Sequence, residues 1–136
     1  VKHAIGANNH QGSFATGSNN IMRRFFRQFK KFNLYFVDSV TNVKSVAYYE
    51  AKKAKIKTLR RDVFLDVKKT SRFIKKRFLQ GIKIAKNRGY AILIGHASSK
   101  HIFRLLKSME KVFKKNRIKF VKVSEIFKLL IDRRRS

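Results

Sequence analysis

The chain has no cysteine, no proline and no tryptophan, and only 6 glycines and 7 acidic residues in 136. Without cysteine there is no disulfide and no thiolate site, so any metal must take nitrogen and oxygen ligands. That absence leaves the compartment open. No apolar run approaches the ~20 residues that cross a bilayer, and no signal peptide is visible. Gly-x-Gly-x-x-Gly and the Walker-type phosphate loop are both missing, which leaves nucleotide binding by those routes unsupported. His-Glu-x-x-His and Gly-x-Ser-x-Gly are missing too, against common zinc proteases and α/β-hydrolases. A Ser-His-Asp triad can be assembled only on paper, because no serine occupies a recognisable nucleophile turn. The 13 Phe and 4 Tyr fall mostly on inward helix faces, so they suggest no platform for stacking bases.

What is present fits one ordinary domain. The length is typical, and a hydrophobic content of 43% supplies a core. The net charge of +28 attracts anions, including phosphates, lipid headgroups and acidic glycans, in a salt-dependent way. It is uneven: residues 1–68 carry 14 Lys/Arg and 4 acids, residues 69–136 carry 21 and 3. The charge invites a nucleic-acid reading. Abundant Lys, Asn, Ile and Phe with scarce Gly is also what AT-rich codon usage produces, and the bases then sit on solvated helix faces. The placement of the bases favours the second reading. The chain opens on Val1 with what reads as the end of a strand, pointing to a piece of a longer protein that lacks its first strand or strands.

Apolar spacing predicts an alternation of strands and helices. A strand is expected over Val1 to Ile5, then a Gly/Asn/Ser loop to about Ser18, a plausible N-cap. Ile21, Met22, Phe25, Phe26, Phe29 and Phe32 recur at helical spacing, with Arg23, Arg24, Arg27, Lys30 and Lys31 opposite. Further strands are expected at Leu34 to Val37, Leu59 to Leu65, Tyr90 to Ile94 and Ile118 to Val123. The run at Tyr90 to Ile94 suggests a strand buried on both faces. Helices are expected at Val43 to Lys55, Lys68 to Asn87 (stopped by Gly89), Ser99 to Asn116, and from Ser124 into Arg133-Arg134-Arg135. This β-α order implies an α/β fold with parallel strands and covering helices.

Ligands in such folds bind beyond the carboxyl ends of the strands. His10, Asp38, Asp66 and His96 all fall in those loops, with Asp62 near the same edge, and the fold class predicts that they converge. An imidazole there is a metal ligand or a proton carrier. Asn8, Asn9 and Ser13 can orient His10 by hydrogen bonds. Each residue also has a structural reading: His10 as a loop stabiliser, His96 as a surface residue, Asp38 as a turn cap, Arg61-Asp62 as an ion pair, Asp66 as an N-cap. His3 reads as structural within the first strand and His101 as exposed in a helix first turn. Taken singly the acids read as structural; together with two histidines they strengthen a site.

The blocks Ile5-Gly6-Ala7-Asn8-Asn9-His10-Gln11-Gly12-Ser13, Ala15-Thr16, Phe36-Val37-Asp38-Ser39-Val40-Thr41, Ser45-Val46-Ala47, Arg61-Asp62-Val63-Phe64-Leu65-Asp66 and Ala91-Ile92-Leu93-Ile94-Gly95-His96 resemble the divergent polysaccharide deacetylase family. They come in the family's order at similar spacing. The resemblance implies a partial (β/α) barrel of the polysaccharide deacetylase type, akin to NodB-homology enzymes. It implies a metal-dependent hydrolase that removes acetyl groups from an acetylated glycan, with a divalent metal, usually Zn. His10 and Asp38 would be metal ligands. His96 would be the catalytic general acid, and Arg61 and Asp62 would form its orienting network. Asn8, Asn9, Ser13, Ser39 and Asp66 would line the pocket. The setting it suggests is the cell envelope or periplasm. The early Asp pair of the deacetylases has no counterpart here. Gln11 stands where Met is frequent, Val40 where Arg is frequent, and Ala97-Ser98-Ser99 where Pro follows Gly-His. Five strands are also too few to close a barrel, so an open edge is expected. Two alternatives remain: a catalytically degenerate homologue that binds a glycan or an envelope partner, and a basic nucleic-acid-binding module.

Overall fold

A computed structural model describes residues 2–132. The chain forms two compact units, residues 1–61 and 62–136, each with its own parallel sheet and its own apolar core. Val1 and the expected terminal run Arg133-Arg134-Arg135 lie outside the described residues.

The first unit holds β1 (Gly6–Asn8), α1 (Ser13–Thr16), α2 (Asn19–Phe29) with a 3-10 turn at Lys30–Phe32, β2 (Tyr35–Asp38), α3 (Ala47–Lys53) and β3 (Thr58–Arg60). The strands are parallel in the order β1-β2-β3, with Asn8 opposite Val37 and Asp38 opposite Arg60. The first strand therefore lies past the expected 1–5; His3 sits in a turn with φ of 71°, not in a strand. Ser18 caps α2, its hydroxyl accepting from the Ile21 amide at 3.4 Å, and shields one of the orphan donors at the helix start. The helix turns Met22, Phe26 and Phe29 inward against Phe36, Ala47, Ala51 and Ile56. Phe26 meets Phe36 edge-on with centroids 5.0 Å apart, the geometry the ring quadrupoles prefer.

Within this unit Glu50, on α3, has a buried carboxylate that accepts from Arg23 at 3.1 Å and Lys53 at 2.9 Å. The Lys53 ammonium, foremost, and then Arg23 hold its pKa below the usual carboxylate value, against the opposing effect of burial. A depressed pKa stabilises the fold above the unfolded value of 4.5 and loses that contribution as pH falls through the folded one. Glu50→Gln is thus expected to cost about 1.5–3 kcal/mol at neutral pH, the range for hydrogen bonds to charged groups. Urea unfolding at stepped pH checks it: the gap between variant and parent should close as pH drops below 4.5.

The second unit holds β4 (Val63–Phe64), α4 (Ser71–Arg88), β5 (Leu93–Ile94), α5 (Lys100–Ser108), α6 (Glu110–Lys115) and α7 (Val123–Asp132). Strands β4 and β5 pair in parallel, Val63 with Leu93 and Phe64 with Ile94. The single strand expected over 59–65 is two, because β3 bonds to β2 and β4 bonds to β5. Thr70 caps α4, its hydroxyl accepting from the Phe73 amide, and Gly89 ends that helix at φ 88°, where a side chain would be strained. The expected helix 99–116 is interrupted at Met109, which is buried between α5 and α6. Ile118–Val123 forms no strand: Ile118 to Lys122 are irregular and Val123 opens α7. The run at Tyr90–Ile94 is less enclosed than expected; Ile92 is buried, but Leu93 and Ile94 are only half-buried. The core joins Val63, Leu65, Ile74, Phe78, Ile82, Ile102, Met109 and Phe113. The described strands thus make two open parallel sheets with helices, an α/β fold in which no barrel closes.

Candidate functional site

In each unit parallel pairing brings strand ends to one edge, and the expected residues divide between the two units accordingly. In the first, the loops leaving β1 and β2 are laced together. The Asn9 carbonyl oxygen Oδ1 accepts from the Ser39 amide at 2.8 Å, and the Asn8 amide donates to Ser39 Oγ at 3.0 Å. Thr41 is the hub: its hydroxyl accepts from Asn9 Nδ2 at 3.2 Å and donates to the Gln11 carbonyl at 2.8 Å. Ser13 donates to the Thr41 carbonyl at 3.2 Å. These bonds fix the turn that carries His10, whose side chain is exposed. Gln11 and Gly12 both adopt left-handed backbone there.

Asp38 ends β2 and is wholly buried. Its Oδ1 accepts from the Val40 amide at 2.8 Å, and its Oδ2 accepts from Ser45 Oγ at 2.9 Å and the Tyr48 amide at 3.3 Å. The carboxylate thus closes an Asx turn and pins the entry to α3. Val40, a β-branched residue, is held at φ 51°, a conformation that costs it energy. Arg61 clamps the same turn from β3's end, donating from Nε to the Ser39 carbonyl at 2.6 Å and from Nη2 to the Val40 carbonyl at 2.9 Å. A metal at Asp38 would have to displace these donors from a carboxylate shut away from solvent. Among the described residues no three His, Asp or Glu side chains gather as a metal-holding group. As placed, Asp38 is committed to its own loop.

In the second unit the register dictates a contact. Phe64 and Ile94 are paired at the strand ends, and two positions on, in the loops just beyond, stand Asp66 and His96. Asp66 is buried; its Oδ1 lies 3.1 Å from His96 Nδ1 and its Oδ2 accepts from the His96 amide at 3.2 Å. A carboxylate only accepts, so this contact puts the proton on Nδ1 and leaves Nε2 as the reactive nitrogen. The imidazole is half exposed, at 49%, while the carboxylate behind it is buried. The Phe64 ring lies against it with centroids 5.4 Å apart. Gly95 lets Ile102 approach so closely that a Cβ would collide with it, which seats the His96 turn on α5.

Asp62 does not serve this pair. It is bonded to Arg88 and accepts from the Ile92 amide at 2.7 Å, tying the end of α4 to the approach of β5. Arg61 and Asp62, adjacent in sequence, therefore carry different partners. His101 is half-buried in the first turn of α5 with Nδ1 2.9 Å from Ser71 Oγ, not a simply exposed residue. Sequence reasoning had no access to Phe64, Arg88 or Thr41 as supports; only strand register and loop contacts bring them in.

Comparison with known proteins adds a lineage. The model of the family described as divergent polysaccharide deacetylase matches residues 1–127. Uncharacterized protein YibQ of Escherichia coli K12 is 36% identical over 96 residues, 71% of this chain and 30% of its own length. An uncharacterized protein of Haemophilus influenzae is 38% identical over 96 residues, 71% of this chain and 34% of its own. A crystal structure of an uncharacterized protein of Agrobacterium tumefaciens C58 superposes with a TM-score of 0.80 at 24% identity, over 90% of this chain and 49% of that one. At that identity the likeness speaks for the fold. The chain spans about a third of the length of the curated relatives it matches.

Proposed function

As this chain belongs to the divergent polysaccharide deacetylase family and contributes a deacetylase-like domain, we propose that it is part of a hydrolase acting on an acetylated polysaccharide of the cell envelope, with His96 as its proton carrier. The observation that carries the reading is the buried Asp66 carboxylate 3.1 Å from His96 Nδ1, behind a half-exposed imidazole. In hydrolysis water adds to the acetyl carbonyl, the bond from that carbon to nitrogen or oxygen breaks, and acetate departs. The attacking water gives up a proton that the unprotonated Nε2 can take, and the imidazolium so formed can return it to the leaving atom, while Asp66 fixes the tautomer and steadies the imidazolium. Asp66 acts through His96 and is a positioning residue.

A divalent metal, with zinc foremost, stays part of the proposal as an added component. The test is acetate release from acetylated polysaccharide by the full-length protein, with a chelator arm and zinc add-back. Acetate release supports the hydrolase, and loss with chelator followed by recovery with zinc supports the metal. Glycan binding without acetate release by folded protein, with or without zinc, overturns the hydrolase. It would leave the catalytically degenerate glycan binder, the reading favoured by Asp38's commitment to its own loop.

A further inference from the structure

Helix α7 is apolar for much of its length, yet Ile126 is its one buried residue, and Leu129 and Ile131 stand 47% and 44% exposed. Beneath it, wholly within the second unit, runs a groove of about 860 Å3. Phe78, Ile82, Leu93, Ile126 and Leu129 are among its apolar lining. The size is that of small-molecule pockets, which run about 300–1,000 Å3. Lys86, Arg117, Lys119 and Lys128 line it against Glu125 and Asp132, four cations to two acids, in a chain of net charge +28. Lys86 donates to Asn116 Oδ1 at 3.4 Å, a neutral partner among the described residues.

From the apolar walls and the cationic rim we infer that this groove binds a free anionic amphiphile, a medium-chain fatty acid, with the chain under α7 and the carboxylate among the rim lysines. A sugar would leave hydroxyls unpaired against these walls, which is costly, whereas an acyl chain gives up water there at no such cost. The overall positive field adds attraction for the carboxylate. The site is separate from the Asp66–His96 pair and does not depend on the hydrolase reading.

Calorimetric titration of the full chain with monomeric octanoate, decanoate and laurate at physiological salt tests it. One saturable site is expected, tightening about tenfold for every two methylenes added, the gain that burying them brings. Decanol, the same chain without charge, should bind at least several-fold more weakly than decanoate. Leu129→Lys places a charge on the groove wall at an exposed position and should weaken laurate at least tenfold with an unchanged circular dichroism spectrum. If that variant fails to fold, the rim reversal Lys119→Glu with Lys128→Glu, at surface positions, should weaken decanoate but not decanol. Affinity independent of chain length means charge attraction only and overturns the inference. So does the absence of saturable uptake, or a dimer that laurate fails to dissociate, since a second copy then fills the groove.

Discussion

Replacing His96 with alanine should lower acetate release by about 10²–10⁴-fold, the usual contribution of a positioned acid or base. The fall should lie in kcat, with KM nearly unchanged, because the imidazole meets the leaving atom and makes little of the ground-state binding. Asp66→Asn is the sharper probe. Asparagine keeps the volume but can present its NH2 group to Nδ1, which favours the wrong tautomer and takes away the anion that steadies an imidazolium. A kcat loss of about 10²-fold, with KM and unfolding midpoint close to those of the parent, is expected for a positioning residue. An Asp66→Asn protein of full activity, or one whose only defect is stability, would falsify the proton-carrier assignment. His96→Ala and the double variant should be nearly equal in rate, since Asp66 acts through the ring.

The second large effect is one of stability. Asp38→Ala should destabilise the first unit by about 3 kcal/mol or more, since each buried donor left unpaired costs about 1–3 kcal/mol. The carboxylate accepts from Val40, Ser45 and Tyr48, and alanine strands all three donors at once. The strained Val40 turn then loses one of its anchors, although Arg61 still holds its carbonyl. Asp38→Asn, which keeps one acceptor oxygen, should lose less. Urea titration checks both: a lower midpoint at unchanged slope marks lost stability. Were Asp38 a metal ligand, the asparagine variant would instead keep its midpoint in the absence of metal and lose zinc affinity. That contrast separates its turn-closing role from the ligand role that the family resemblance implies.

Much of the architecture was written in local patterns. The Phe spacing of α2, the Ser18 cap and the Gly89 stop are each decided within a few neighbouring residues, so periodicity and capping rules reach them. The alternation at Ile118–Val123 has the local look of a strand, but a strand needs a neighbour to bond to, and no sequence window says whether one is there. The same gap hid the division of residues 58–64 between two sheets, since partner choice is a non-local fact. At the candidate site, strand-end position singled out Asp66 and His96 one by one. Their contact follows from the pairing of Phe64 with Ile94, a register that hydropathy cannot give. Asp38 shows the reverse: its place at a strand end is legible, while the donors that occupy it come from Val40, Ser45 and Tyr48, two to ten residues on.

The pairing of Phe64 with Ile94 has a consequence for how this segment can change over evolutionary time. Asp66 and His96 each lie two residues beyond that rung, and one added or deleted residue on either side takes a side chain off the level at which the two meet. Leu65 and Gly95, the spacers, can be exchanged as far as packing allows, but their number cannot. Indels should therefore be purged at these two dipeptides and accumulate beyond them, in the exposed stretches at Val67–Lys69 and Ala97–Ser98.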